Sequence, residues 1–379
     1  MAKVTGVPST RRVTQRDIAR HCGITQQAVS RALRGDTLIS EETRARVQAA
    51  AEELGYDPSQ SQAARRMALI RTGAQPRNNM VAISTSAELT NTLYFTELFR
   101  GVMHTLSANG VDLVVTLNSY PYSMPRPARR GELDGIICIE RPEWYHEMMP
   151  HLRQLPTFGT RPIVSLIWPI SGALSVIADD ELGGYLAMRH LIELGHRHIM
   201  VLQNIMAPQD PETRRRAGIQ CAIAEYPGQR PEIYGCAIGN EQWITPPPFK
   251  EPVTPENFPI IHGSNLLRFP LPDFLSVHPH ITAIIGLNDA SAIITDYLLE
   301  QAGYRVPRDI SIIGFDDTDP LLDAEGRNVL TTVRVPLYSI GEEAARLLLR
   351  RMENEVADDA HTVLPPTLMV RGTTAPPKQ

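Results

Sequence analysis

From Val13 to Tyr56 the apolar positions recur at helical spacing, and each run is bounded by residues that start or stop a helix. Thr14 precedes the first run and Asp17 follows three residues later, which predicts an N-cap with an approximate capping box. Ile18 and Ala19 give that helix a small apolar face, and Gly23 stops it. Thr25 opens a second helix, in which Val29, Ala32 and Leu33 share a face at i, i+3, i+4 spacing. Gly35 ends it. A third helix begins at Ser40, with Glu41 and Glu42 at its positive end. Val47, Ala51 and Leu54 form its buried stripe, and Gly55 terminates it. Two short helices joined through Cys22-Gly23-Ile24, followed by a third, predict a helix-turn-helix.

From Met80 the texture changes to short apolar runs alternating with helical patterns, as in βαβ units with parallel sheets. The runs predict strands at Val81–Ser84, Val111–Leu117, Gly135–Ile139, Ile163–Leu166, His198–Leu202, Ala283–Leu287 and Ile310–Gly314. They predict helices at Phe95–Asn109, Glu181–Leu194, Arg214–Glu225, Ala290–Ala302 and Leu337–Glu353, the last closing a strand-poor tail. The fold class expected is an all-α helix-turn-helix headpiece followed by an α/β core with parallel sheets.

Composition narrows the function. The 379 residues, 42% hydrophobic and 21% charged, suit a globular protein of two or three domains. The longest apolar stretch, Ile163 to Ile177, is broken by Pro169, Ser171 and Gly172, so no transmembrane helix is expected. The N-terminus lacks an apolar signal core, which with four scattered cysteines (Cys22, Cys138, Cys221, Cys236) predicts a cytoplasmic protein without a disulfide framework or zinc site. The net charge of −5 argues at first against nucleic-acid binding. By segment it does not: residues 1–71 carry +5 and the other 308 carry −10. A basic head on an acidic body is the asymmetry of a small polyanion-binding domain attached to something else. A solvated basic face without a partner is the alternative.

The exposed set on the second helix is apt for base reading. Gln makes paired hydrogen bonds to adenine and Arg to guanine in the major groove, while hydroxyls at helix N-termini hold phosphates. The run Val13-Thr-Gln-Arg-Asp-Ile-Ala, then Gly-Ile-Thr, Val-Ser-Arg-Ala-Leu-Arg-Gly, Ile-Ser-Glu-Glu-Thr-Arg-Ala-Arg-Val and Ala-Glu-Glu-Leu-Gly-Tyr56 resembles the headpiece of the LacI/GalR repressor family. The resemblance implies that Gln26, Gln27 and Arg31 read bases, and that Thr14, Thr25 and Ser30, with Gln15 beside them, contact the DNA backbone. It also implies that Asp57 to Met67 is a hinge, helical on the operator, whose apolar wedge enters the minor groove. Ala64 and Arg65 match the pattern, and Met67 stands at the wedge position usually held by leucine, a substitution that an apolar wedge tolerates. A plain linker is the alternative for this segment.

The core carries the same resemblance in Leu133-Asp-Gly-Ile-Ile137, Asp180-Glu-Leu-Gly-Gly184, His190 to Ile199, Arg215-Arg-Ala-Gly218, Asn288-Asp289, Gly303 to Asp317 and Leu330-Thr-Thr-Val333. It implies a two-lobed, periplasmic-binding-protein-like fold with a small molecule held between the lobes. Arg215, Asn288 and Asp316 would hydrogen-bond that effector, a fork, an amide and a carboxylate that suit vicinal hydroxyls. The competing reading of Arg215 and Asp316 is a salt bridge closing the lobes. Tyr94 and Phe95 match an aromatic pair facing ligand, with ordinary core as the alternative, and Trp243 stands near a second-lobe aromatic. The domains expected are 1–58 (headpiece), 59–79 (hinge helix and linker) and 80–379 (effector-binding and dimerisation core).

Three departures bear on ligand class. Residues 119–133 are proline-rich and short for a full helix. Trp168-Pro169 stands where a strand and an acidic ligand residue are expected. Residues 244–273 hold eight prolines in place of a second-lobe helix. Enzyme readings find little support: there is no nucleophile elbow, phosphate-binding loop or dinucleotide fingerprint. His190, His196 and His198 lack acidic or cysteine partners at metal-ligand spacing. The pairs Asp179-Asp180 and Asp316-Asp317, read as extended backbone, point their carboxylates apart. The expected protein is therefore a transcriptional regulator, a repressor, without cofactor or catalytic residues. Its partners are double-stranded operator DNA, a second copy of itself in a dimer, and an effector, a carbohydrate with a purine or nucleoside as the alternative. A non-regulatory sugar receptor is the competing class.

Overall fold

The computed structural model describes residues 13–33, 39–56, 77–86, 90, 92–118, 124–140, 142–155, 158–170, 173–204, 210–238, 271–286, 288–353, 355–357 and 360–378. The chain divides into two units, Met1–Asn78 and Asn79–Gln379.

Among the described residues, the first unit holds three helices, α1 (Gln15–Cys22), α2 (Gln26–Leu33) and α3 (Glu41–Glu53). The Asp17 carboxylate accepts from the Thr14 N–H at 2.9 Å and the Thr14 hydroxyl at 2.6 Å, closing the start of α1 as its spacing predicts. Gly23 and Gly55 end α1 and α3 in the left-handed region, at φ 64° and 67°. All three helices feed one small core, with Ile18, Val29 and Val47 fully buried and Tyr56 packed beside them.

The second unit is two α/β lobes. Lobe one contains β1 (Met80–Ser86), α4 (Leu93–Ala108), β2 (Asp112–Asn118), the single turn α5 (Arg126–Arg129), β3 (Gly135–Ile139), α6 (Pro142–Gln154), β4 (Ile163–Leu166) and β5 (Leu174–Ala178). The chain then passes into lobe two, with α7 (Asp180–Leu194), β6 (His198–Asn204), α8 (Pro211–Glu225), β7 (Glu232–Ile238), α9 (Leu271–Val277), β8 (Ala283–Ile285), α10 (Asp289–Gln301), β9 (Ser311–Asp316) and β10 (Thr332–Arg334). It returns to lobe one for α11 (Leu337–Met352) and β11 (His361–Leu364), and crosses again to end in lobe two with β12 (Thr367–Met369). The sheet orders are β11-β5-β4-β3-β1-β2 and β12-β10-β9-β8-β6-β7. The first is all parallel, and in the second only β12 runs antiparallel.

The expected strand-poor tail is thus corrected. Two short strands in it, β11 and β12, each complete a sheet edge. Half-exposed edge strands carry no continuous apolar run, which is why the pattern hid them. The sequence reading also omitted α6, which starts on Pro142 and carries Pro150 in its interior. Its buried Trp144, Tyr145, Met148 and Leu152 nevertheless lie at helical spacing. Residues 126–129 form only one turn, as the prolines around them predict.

Glycine pairs fix two helix crossings. A Cβ on Gly184 of α7 would lie 1.9 Å from the Arg215 carbonyl, and one on Gly218 of α8 would lie 1.7 Å from that of Glu181. In lobe one the pair is Gly101 of α4 and Gly341 of α11, each with a backbone carbonyl 2.1 Å from the same position. These helices meet backbone on backbone, so only glycine fits.

Candidate DNA-reading helix and effector cleft

In the first unit, Thr25, Gln26 and Gln27 are exposed at the start of α2, and Ser30 and Arg31 follow half-buried one turn on. The buried Val29 and Ala32 hold the opposite face against α1 and α3. Thr25 caps α2 by accepting from the Ala28 N–H at 3.2 Å. The Arg16 Nε–H donates to Gln26 Oε1 at 3.3 Å, tying the exposed beginnings of α1 and α2 together, with Thr14 and Gln15 at the former. Ala64, Arg65, Met67 and Trp243 lie outside the described residues.

In the second unit, the glycine crossing of α7 and α8 brings Asp180, the first residue of α7, against two consecutive arginines. Arg215 Nε donates to Asp180 Oδ1 at 3.0 Å, and Arg214 Nη2 donates to Asp180 Oδ2 at 2.6 Å. The Arg215 guanidinium also lies 3.5 Å over the Phe315 ring and 3.6 Å from Asp316 Oδ1. The Arg215–Asp316 pair therefore joins two elements of lobe two and does not close the lobes. Asp316 Oδ1 is buried and has no hydrogen-bond donor among the described residues. Burial pushes the Asp316 carboxyl up to about 7, opposed by Arg215.

The loop carrying Asp316 is strained. Asp316 and Asp317 have φ of 99° and 58°, so the backbone here is left-handed and not extended as the sequence reading assumed. Their side chains still diverge: Asp317 pairs with Arg334 at 2.6 Å and Arg371 at 2.8 Å, away from Arg215. Asp289 holds this loop from below. Fully buried, it accepts from the Thr332 hydroxyl at 2.5 Å and the Thr318 N–H at 2.7 Å, and burial pushes its carboxyl up to about 6. Asn288, expected to meet ligand, caps α10: its Oδ1 accepts from the Ser291 N–H at 2.9 Å.

Lobe one faces these groups with Tyr94. Burial, helped by the charges of Asp316 and Asp180, pushes its phenol well up, and Arg215 opposes them. Phe95 does not accompany it. The side chain is 7% exposed and stacks on Phe99 in the lobe-one core, so the adjacent aromatics part company. The structure adds contacts the sequence reading missed. Trp168 Nε1 donates to Asp210 Oδ1 at 2.8 Å, and Arg214 Nη2 donates to the Ile167 carbonyl at 3.0 Å. Both bonds run from the β4–β5 connection of lobe one to the start of α8. Ile167 sits at φ 73°, a strained position for a β-branched residue. Behind them, Glu140 is buried at the end of β3, accepts from Asn118 at 2.6 Å and Ser84 at 3.1 Å, and is pushed by burial up to about 7.

The histidines have structural partners. His196 bonds Thr282 at 2.8 Å and the Ala375 carbonyl at 2.9 Å, and His190 bonds Thr374 at 3.0 Å. His198 lies 3.5 Å from Glu232, which arrives from the neighbouring strand. Among the described residues no group of three histidines, cysteines or carboxylates has metal-holding geometry, and no helix is long and apolar enough to cross a membrane.

The family model described as "Bacterial regulatory proteins, lacI family" matches residues 14–59, and that of a "Periplasmic binding protein-like domain" matches residues 188–374. The chain thus joins a lacI-family regulatory headpiece to a periplasmic-binding-protein-like domain. The ribose operon repressor of Escherichia coli (strain K12) is 29% identical over 370 residues, covering 95% of this chain and 99% of its own. The HTH-type transcriptional repressor PurR of Vibrio campbellii is 26% identical over 368 residues, covering 95% and 98%. A solved complex of the transcriptional regulator CelR with cellobiose has the same fold, with TM-score 0.59 and 23% identity over 96% of this chain and all of that one. A chain built from these two domains in this order is accordingly a DNA-binding transcriptional regulator.

Proposed function

We propose that this regulator is a cytoplasmic, dimeric repressor released or engaged by a carbohydrate bound between its lobes. Gln26, Gln27 and Arg31 read base edges, and Thr14, Gln15, Thr25 and Ser30 set register on the phosphates. Residues 59–79, with Ala64, Arg65 and Met67, form the hinge between headpiece 1–58 and core 80–379. The observation that carries the reading is the coexistence of that exposed helix with a cleft in which Arg215 stands beside a buried Asp316 oxygen lacking a donor. A sugar hydroxyl supplies that donor and accepts from Arg215 in turn, and Tyr94 closes over the ring. Asn288 contributes its amide N–H groups, and Trp243 a second aromatic wall. The names of the ribose operon repressor and of the cellobiose complex support a sugar over the purine alternative.

The effector must bind the two core states differently, or it shifts nothing. The test is a mobility-shift assay of the full chain on DNA upstream of its own operon, alone and with ribose, cellobiose and a nucleoside panel. Sequence-specific binding altered by a sugar is expected. A folded protein that binds all sequences equally overturns the reading. The expected dimer is read by analytical ultracentrifugation.

A further inference from the structure

A cavity in lobe one lies away from the cleft, at the amino-terminal ends of β4 and β5. It measures about 330 Å³ and is lined by Arg153, Arg161, Arg351 and Thr160 around an apolar wall that includes Ile163 and Leu174. No acidic residue is among its described lining residues. The three arginines come from three places. Arg153 lies in the last turn of α6, Arg161 in the turn before β4, and Arg351 in the last turn of α11.

Arg153 and Arg161 are held in place. Arg153 Nη1 donates to the carbonyls of Gly159 at 3.0 Å and Arg161 at 2.8 Å. Arg161 Nη1 lies 2.9 Å from Asp134 Oδ1, and Asp134 Oδ2 accepts from the N–H of Asn79, the first residue of the second unit, at 2.6 Å. A guanidinium fork fixed by its own backbone contacts is a preorganised receptor for a planar or tetrahedral oxyanion. A cavity of roughly 150 Å³ already holds benzene, so this one has room for an apolar body as well as a charged head.

We propose that this cavity is a second ligand site, for a small organic molecule whose phosphate or carboxylate meets the arginines while its body lies on Ile163 and Leu174. It is separate from the effector cleft. Because Arg161 shares Asp134 with the backbone of Asn79, occupancy is sensed where the chain enters the core.

The test is titration calorimetry of the full chain with phenyl phosphate and with benzoate, at fixed ionic strength, and with inorganic phosphate alone to separate head-group recognition from the body's contribution. Saturable binding of either aromatic anion, tighter than inorganic phosphate, is expected. Arg351→Glu weakens it by about tenfold or more, as loss of a charge-assisted hydrogen bond requires, while Arg215→Ala in the cleft leaves it unchanged. Arg351→Gln, a milder change, reports the same loss if the charge reversal impairs folding. Heats no different from those given by chloride, or binding lost in Arg215→Ala and kept in both Arg351 variants, overturn the proposal.

Discussion

The indole nitrogen of Trp168 donates to the carboxylate of Asp210 at 2.8 Å, and the two residues belong to different lobes. Both are at least nine-tenths buried, so neither partner has water to fall back on. Trp168→Phe leaves a buried carboxylate short of a donor and is expected to cost about 1–3 kcal/mol. Asp210→Ala leaves the indole unpaired at similar cost, and the double variant is less destabilised than the two losses added together. Urea unfolding of the four proteins measures the coupling.

Under the proposed base-reading role, Arg31→Ala is expected to weaken operator binding by about 1–3 kcal/mol and to relax preference at one base pair. Thr25→Ala should weaken binding to all sequences alike. It also removes the cap of α2, costing about 1 kcal/mol of headpiece stability. Shift assays against single-base operator variants at fixed salt separate the two patterns.

At Gly184 an added Cβ meets the Arg215 carbonyl at 1.9 Å, whereas at Gly228 nothing lies within 4 Å. Gly184→Ala is expected to cost about 3 kcal/mol, since helices packed on their backbones must part. Gly228→Ala is expected to be near neutral. Denaturant midpoints read the contrast, and the effector response should fail in Gly184→Ala, because the crossing positions Arg215 against Asp180.

The Glu140 carboxyl, raised from its ordinary range near 4 to about 7, favours the protonated form in the folded chain. The folded state then holds a proton that the unfolded state has released, so this group's contribution to stability is present below the unfolded value and is lost as pH rises toward 7. Glu140→Gln keeps an acceptor for Asn118 and Ser84 without the charge. It is expected to raise the urea midpoint at pH 8 relative to wild type, with little difference at pH 4.

The sequence carried the headpiece well, because its signals are local: Thr14, Asp17, Gly23 and Gly55 act within a few residues of themselves. In the core, strands buried on both sides, such as Gly135–Ile139 and Ile163–Leu166, were equally legible as continuous apolar runs. What escaped depends on partners distant in the chain. Nothing around Asp180 announces that it will hold Arg214 and Arg215, because the two glycines that bring them together are 34 residues apart. Trp168, noted only as a departure, makes sense only beside Asp210. Phe95 and Tyr94 look equivalent in sequence and are separated by the α4 rotation that sends one into the core.

Each lobe is assembled from stretches far apart in the chain. Lobe one cannot complete its sheet without residues 361–364, nor cover it without the helix at 337–352. During synthesis the first half of the core therefore emerges with an open sheet edge and waits for nearly the whole of lobe two to leave the ribosome. A nascent chain stalled before residue 337 presents that edge to its neighbours, so aggregation during expression, more than defects of the finished molecule, is the vulnerability this threading creates.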